Sequence, residues 1–173
     1  CLIAIADLII RRELSTAAQW WAKTLMSQFT NDCGEFMTNA FIAAMHGKRH
    51  PWDIPNERNV VTFKNCLICL MATRFHKEWD DEHPIWGSAN RTIGVDYGPD
   101  KILSGALDFA GISGTLTLPI KTMMWVSPGT VKVREGKFSY IAAREGQDRL
   151  DDVVGPENWK ASFKVIPADE AVV

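Results

Sequence analysis

The sequence has no run of about 18 consecutive apolar residues, the length that a membrane-spanning helix needs. Charged residues such as Asp7, Lys64 and Arg74 interrupt or border its apolar stretches. The first residues also lack the basic segment of a secretory signal. We therefore expect a protein that makes no contact with a membrane and resides in the cytoplasm.

Cysteine, glycine and proline are also scarce, with 4 Cys, 12 Gly and 8 Pro among 173 residues. Four cysteines are too few for a disulfide scaffold, so we expect reduced thiols. Neither of the common glycine-rich phosphate-binding motifs is present, which argues against a nucleotide cofactor. No internal repeat or low-complexity tract occurs, and the composition predicts a folded globular chain.

The first half of the sequence predicts helices. Apolar residues recur at helical spacing over 2–14, over 16–29 after a predicted N-cap at Ser15, over 35–46, and over 60–79. Phe63, Leu67, Leu70, Met71 and Phe75 mark one side of the last of these helices. A shorter helix is predicted over 100–110, ending at Gly111. We interpret 1–80 as a helical region and 81–114 as an irregular connector that contains the short helix.

The period of the pattern changes to two after residue 114. Val131 and Val133 alternate with Lys132 and Arg134, directly after a turn at 127–130. Further strands are predicted at 115–118, 123–126, 138–141 and 159–166, with a helix over 142–154. The expected fold is α+β, in which a helical N-terminal half precedes a small antiparallel β-sheet with one packed helix, and 115–173 is its β-rich part.

Two cysteine motifs admit a chemical interpretation. Cys66 and Cys69, followed by His76, have the spacing of a metal site or a redox pair, although thiols at such positions also serve as small core residues. Cys33 precedes a predicted helix, as the nucleophile of some cysteine peptidases does, or it is simply a cysteine at a helix start. Cysteine peptidases usually carry their catalytic histidine on a strand, whereas all four histidines of this sequence lie before the β-rich part.

A small basic cluster lies beside a tryptophan at the end of the third predicted helix. It could contact phosphate or stack on a base, or it could be a solvated helix C-terminus, where cations are favoured without any ligand. Its members are His46, Lys48, Arg49 and His50, and the tryptophan is Trp52.

The most specific pattern lies between residues 140 and 159. It consists of Tyr-Ile at 140–141, Arg144, Asp-Arg-Leu-Asp at 148–151, and Val-Gly-Pro-Glu-Asn-Trp at 154–159. A strand, a helix with an arginine near its start and a Gly-Pro stop before a tryptophan follow one another. This pattern resembles the single-strand annealing proteins of the Rad fifty-two superfamily, particularly those of bacteriophages. The resemblance covers 138–166, with 120–137 as an upstream hairpin.

The resemblance implies sequence-nonspecific binding and annealing of single-stranded DNA in phage-type DNA recombination or DNA repair. It implies a homo-oligomer, no catalysis, and neither metal nor nucleotide as cofactor. Between Ile120 and Ile166 there are eight basic and six acidic residues. Because the chain ends at Val173, the annealing module would be truncated.

Five residues are candidate contacts to the DNA backbone. Lys132 and Arg134 share one face of a strand, and Lys164 would extend that face on the next strand. Arg144 corresponds to the family's arginine near the helix start. Arg149 is as well suited to pairing with neighbouring carboxylates as to binding phosphate.

The alternative function is that of a non-enzymatic helical protein–protein interaction protein, such as a phage or bacterial accessory protein. Aromatic side chains are enriched at protein interfaces. Five tryptophans would build the partner-binding surface, unless they pack in the core: Trp20, Trp21, Trp52, Trp79 and Trp86.

Overall fold

The computed structural model describes residues 2–30, 55–96, 98–112, 118–136 and 164–167. The helices in these ranges are α1 (Leu2–Ile9), α2 (Arg12–Thr30), α3 (Glu57–Phe75) and α4 (Lys101–Phe109). The strands are β1 (Thr92–Val95), β2 (Thr122–Ser127), β3 (Thr130–Arg134) and β4 (Lys164–Ile166), and a 3₁₀ turn at Ser88–Arg91 precedes β1. The predicted α+β class is confirmed.

The first two helices follow each other closely, as predicted. The predicted N-cap at Ser15 is wrong, because α2 begins at Arg12 and the Ser15 N–H donates to the Arg11 carbonyl at 3.3 Å. The helix starts earlier because Leu14 is already part of its buried side. That side continues at helical spacing through Ala17, Ala18, Trp21 and Leu25.

Helix α3 lies against both α2 and α4. On its predicted apolar side Phe63, Leu67, Met71 and Phe75 are buried, whereas Leu70, at the border of that side, is 36% exposed. A reciprocal cap fixes its start. The Asn59 N–H donates to Asn56 Oδ1 at 2.9 Å, and the Asn56 N–H donates to Asn59 Oδ1 at 3.2 Å. The Asn59 side chain also donates to the Ala110 carbonyl at 2.7 Å, which joins the start of α3 to the end of α4.

Helix α4 matches its predicted position, with Asp100 as N-cap and Gly111 in the left-handed conformation after its end. Asp100 accepts from the Leu103 N–H at 2.9 Å and from the Gly94 N–H of β1 at 3.3 Å. Arg74 of α3 lies 3.7 Å from the same carboxylate. Burial raises the pKa of Asp100, while these donors and Arg74 oppose that shift.

The sheet has the order β1-β2-β3-β4, and every neighbouring pair is antiparallel. One face of the sheet packs against the helices and carries Met124, Val126, Val131 and Val133 at alternating positions. These side chains form one hydrophobic core cluster with the buried residues of the helices. The turn between β2 and β3 has Gly129 in a left-handed conformation, and its N–H donates to Glu13 of α2 at 2.7 Å.

Strand β1 lies inside the segment that the sequence pattern predicts to be irregular, so that part of the prediction is wrong. The strand has only four residues, too few to display a period. Gly94 lies so close to β2 that a Cβ would be 2.5 Å from Met123 Sδ and 2.7 Å from the Thr122 carbonyl oxygen. The glycine that made this segment look like a loop is the residue that allows the two strands to approach.

Several predicted elements lie outside the described residues: the helices over 35–46 and 142–154 and the strands at 138–141 and over most of 115–118. The boundaries drawn after residues 80 and 114 stay predictions. Among the residues described, no helix is both long and apolar enough to cross a membrane.

Candidate functional site

The guanidinium of Arg91 is fully buried where the 3₁₀ turn meets β1. Its Nε donates to the Val126 carbonyl at 3.0 Å. One terminal nitrogen donates to the Trp86 carbonyl at 2.7 Å and to the Glu78 carbonyl. The other donates to the Pro84 carbonyl at 2.6 Å and to Ser127 Oγ at 3.4 Å. The five N–H donors of the arginine side chain therefore have five acceptors.

The charge of Arg91 is balanced by its surroundings. Burial lowers the pKa of Arg91, and the carboxylates of Glu78 and Asp80 act against that shift. The guanidinium carbon also lies 5.7 Å from the ring centre of Trp79, and that of Arg11 lies 6.0 Å from the same ring. A buried arginine in this setting holds together the backbone around it.

The backbone that Arg91 holds is the segment Asp80–Asn90, here named the tryptophan loop. At its start, Asp80 Oδ1 accepts from the N–H groups of Glu82 at 2.9 Å and His83 at 3.0 Å. The hydrogen bond from the His83 backbone is the main cause of the lowered pKa of Asp80. The Trp86 N–H donates to the His83 carbonyl at 2.9 Å, so the loop is a series of tight turns.

Two large apolar side chains stand at the tip of the tryptophan loop. Ile85 is 81% exposed and Trp86 is 66% exposed. The His83 ring stacks on the Trp86 indole with the ring centres 4.1 Å apart and the planes at 10°. His83 Nδ1 lies 3.1 Å from Asp80 Oδ2. The exposed tryptophan is therefore supported from one side by a histidine that is itself bonded to the start of the loop.

Gly87 closes the loop after Trp86. It has a left-handed φ of 67°, and a Cβ at this position would lie 2.6 Å from Glu78 Oε2. A side chain here would therefore be strained and would push against the residue whose carbonyl Arg91 binds. The glycine permits the close return of the chain towards Arg91.

The outer face of the sheet adjoins the tryptophan loop. Thr92, Trp125, Lys132 and Val165 lie side by side across the four strands. Val165 is exposed, Trp125 is half-buried, and Ser127 at the end of β2 contacts Arg91. The loop tip and this sheet face therefore offer apolar and cationic groups on neighbouring parts of the molecule.

The residues predicted to contact DNA do not form one basic strip in the described part of the chain. Lys132 and Arg134 share the outer face, as predicted. Lys164 pairs with inward-facing Val133 in the register of the strands, and its Nζ lies 2.6 Å from Glu135 Oε2. Arg144 and Arg149 lie outside the described residues.

The other candidate chemical sites lie only partly within the described ranges. Cys33 and the basic cluster beside Trp52 lie outside them. His76 is close to the Thr73 carbonyl, with its Nδ1 at 2.7 Å. No group of three or more His, Cys, Asp or Glu in the described ranges could hold a metal ion.

The comparisons with known proteins identify the family. The BTG family model matches residues 36–144, more than half of the chain. This chain belongs to the BTG family. The match includes the tryptophan loop, Arg91 and strands β1 to β3, so the site described above lies in the part of the chain that carries the family's pattern.

Individual BTG family members match over part of their length. The chain is 30% identical over 127 residues to a BTG family protein of Dictyostelium discoideum, covering 72% of this chain and 25% of that protein. It is 32% identical over 89 residues to Protein BTG1 of Gallus gallus, covering 50% of this chain and 52% of that protein. It thus spans about a quarter of the first relative and about half of the second.

A solved structure is also similar. The BTG/Tob domain of C. elegans FOG-3 is 18% identical, with a TM-score of 0.42. The alignment covers 66% of this chain and 96% of that domain.

BTG family membership corrects the expectation of a single-strand annealing protein. The Rad fifty-two resemblance rested on residues 140–159, whereas the BTG match covers 36–144 and ends where that motif begins. A strand, a helix and a Gly-Pro stop before a tryptophan are features that many β-α-β segments share, so the motif was not specific. Single-stranded DNA as partner, and a role in phage recombination, repair or annealing, are therefore wrong.

The sequence pattern missed Arg91 and Ile85, and it grouped Trp86 with other tryptophans. Trp21 is buried, and Trp20 and Trp79 are partly buried against the core, so Trp86 is the exposed member among those described. Trp52 lies outside the described residues. The available signal was the apolar pair Ile85-Trp86 between a proline and a glycine, since apolar residues in a tight loop have no core to enter.

We predict that Arg91→Lys lowers the free energy of unfolding by about 2 kcal/mol or more, because lysine has three donors and cannot reach the five acceptors. Urea denaturation of the two proteins measures the change. Arg134→Lys on the outer sheet face is the matched control, and its effect should stay within about 0.5 kcal/mol. Equal effects of the two substitutions would contradict the role of the five hydrogen bonds.

We also predict that the contribution of Asp80 to stability depends on pH. Its pKa is lowered on folding from an ordinary value of 3.8, so its stabilisation is present above that value and is lost as pH falls through the folded-state pKa. Asp80→Asn keeps the side-chain oxygen but loses the charge. The difference in stability between the wild type and this variant should shrink as the pH is lowered towards 3. A pH-independent difference would count against the prediction.

Proposed function

We propose that this chain is a non-enzymatic protein-binding domain that recruits a partner protein through the tryptophan loop and the adjoining outer face of the sheet. It acts as a regulator by bringing that partner together with the other molecules that the BTG family protein binds. Cytoplasmic residence, predicted from the sequence, belongs to the same proposal. The observation that carries it is the exposure of Ile85 and Trp86 on a loop whose backbone a buried arginine fixes.

Exposed apolar side chains on a fixed backbone can contribute more to the binding of a partner than to the stability of the fold. A large apolar side chain in water contributes nothing to the core, whereas the same group in a partner's pocket removes its surface from water. Tryptophan is among the residues that contribute most to protein interfaces. Because the hydrogen bonds to Arg91 already order the loop, binding would cost little further conformational entropy.

The charges around the tip indicate the chemistry of the partner. Glu82 is exposed beside His83, while the carboxylate of Asp81 is paired with Arg11 at 2.5 Å. On the sheet side, Lys132 is exposed next to Val165. A fitting partner has an apolar pocket for Trp86 and Ile85, with a cationic group near Glu82 and an acidic group near Lys132.

The test is affinity purification with the immobilised chain, its Trp86→Ala variant and a control, from a lysate of Dictyostelium discoideum, which has a related BTG family protein. Phe109→Ala is the control because Phe109 is 80% exposed on α4, away from the tryptophan loop. We expect proteins retained by the wild type and the control but lost with Trp86→Ala. For a purified partner, the loss should be about 30-fold in Kd, the effect of a hot-spot residue of about 2 kcal/mol. A partner set that Trp86→Ala retains in full would overturn the proposal.

A further inference from the structure

We infer that Cys66 and Cys69 form a two-thiolate binding site for a soft monovalent cation, Cu(I), on the surface of α3. This site is separate from the tryptophan loop and does not depend on the proposed function. The sequence pattern left two interpretations of these cysteines open, a chemical pair or small core residues. Cys66 is partly buried against the core, while Cys69 is exposed. Because both thiols are free and one of them faces solvent, the structure favours the pair.

The two thiols lie on one side of the helix. Residues three apart on an α-helix are neighbours, with Cβ atoms about 5–6 Å apart. The pKa of Cys66 is raised, first by burial and then by the charge of Cys69, as expected for adjacent groups. The exposed Leu70 follows Cys69 and contacts the Gly105 side of α4, so the pair has an apolar neighbour.

The helix keeps the two thiols from joining directly. A disulfide needs Cβ atoms about 3.5–4.5 Å apart, closer than this helical spacing provides. Unwinding α3 to bring them together would disturb a helix whose Phe63, Leu67 and Met71 are fully buried in the core. The pair therefore stays reduced and remains available to a ligand that spans the gap between the sulfurs.

The number of ligands selects the cation. Structural Zn²⁺ takes four ligands, and in the described part of the chain no third His, Cys, Asp or Glu joins these two thiols. Thiolates prefer soft cations, and Cu(I) accepts two of them in a linear arrangement. On binding, each thiol loses its proton and forms one Cu–S bond. Two protons are released, and copper remains Cu(I), so no oxidant or reductant takes part.

The experiment is an anaerobic titration of the full, reduced chain with Cu(I) against bicinchoninate as a coloured competitor. The variants are Cys66→Ser and Cys69→Ser, and the matched control is the Cys1→Ser/Cys33→Ser double variant, which keeps the pair. We expect one Cu(I) per chain in the wild type and the control. Each single variant should bind at least about 100-fold more weakly, since loss of even an outer-shell partner costs up to that much.

Three outcomes would overturn the inference. They are unchanged affinity in Cys66→Ser or Cys69→Ser, loss of binding in the control, and Zn²⁺ binding as tight as that of Cu(I). Far-UV circular dichroism of each variant checks that α3 is intact. Cys66 packs against the core, whereas Cys69 is exposed. A folded Cys69→Ser variant with weakened Cu(I) binding therefore reports on the thiols themselves.

Discussion

One buried guanidinium organises this molecule around its exposed loop. Arg91 joins the carbonyls of Glu78, Pro84 and Trp86 in the loop region to Val126 of β2. Without it, those carbonyls would face one another across a protein interior with no donor, at a cost of about 1–3 kcal/mol for each unpaired group. The shape of the loop, and with it the direction of Trp86, therefore follows from one side chain that a partner never touches.

The same arginine connects the loop to the sheet, so the candidate binding surface is continuous. Its bonds to Val126 and Ser127 fix the end of β2, whose Trp125 stands on the outer face. On the other side of the sheet, the core with α2 and α3 supplies stability, and Glu13 holds the β2–β3 turn in place. The helices and the inner face of the sheet thus support the loop and the outer face, the surface that we propose binds a partner.

The sequence predicted those parts of the fold that repeat a simple period. Helix α3 was found because Phe63 and Leu67 recur at helical spacing, and the β2–β3 hairpin was found because Val131 and Val133 alternate with charged residues. Helix α4 was found from the signals at its two ends, Asp100 and Gly111. Strand β1 was missed because it is short and contains Gly94. Arg91 was missed because a buried arginine looks like any surface arginine until its acceptors, which come from distant residues, are assembled. The annealing interpretation failed because it rested on a local motif whose features many β-α-β segments share.

Amide hydrogen exchange in the wild type and in Arg91→Lys tests the central claim most directly. The N–H groups of Trp86, Ser88 and Asn90 donate within the loop. If Arg91 sets the loop conformation, these amides should exchange faster in the variant, by more than the change in global stability accounts for, relative to amides in the middle of α3. Equal acceleration of the loop and α3, or unchanged exchange in the loop, would show that the loop keeps its shape without the arginine and would contradict this account.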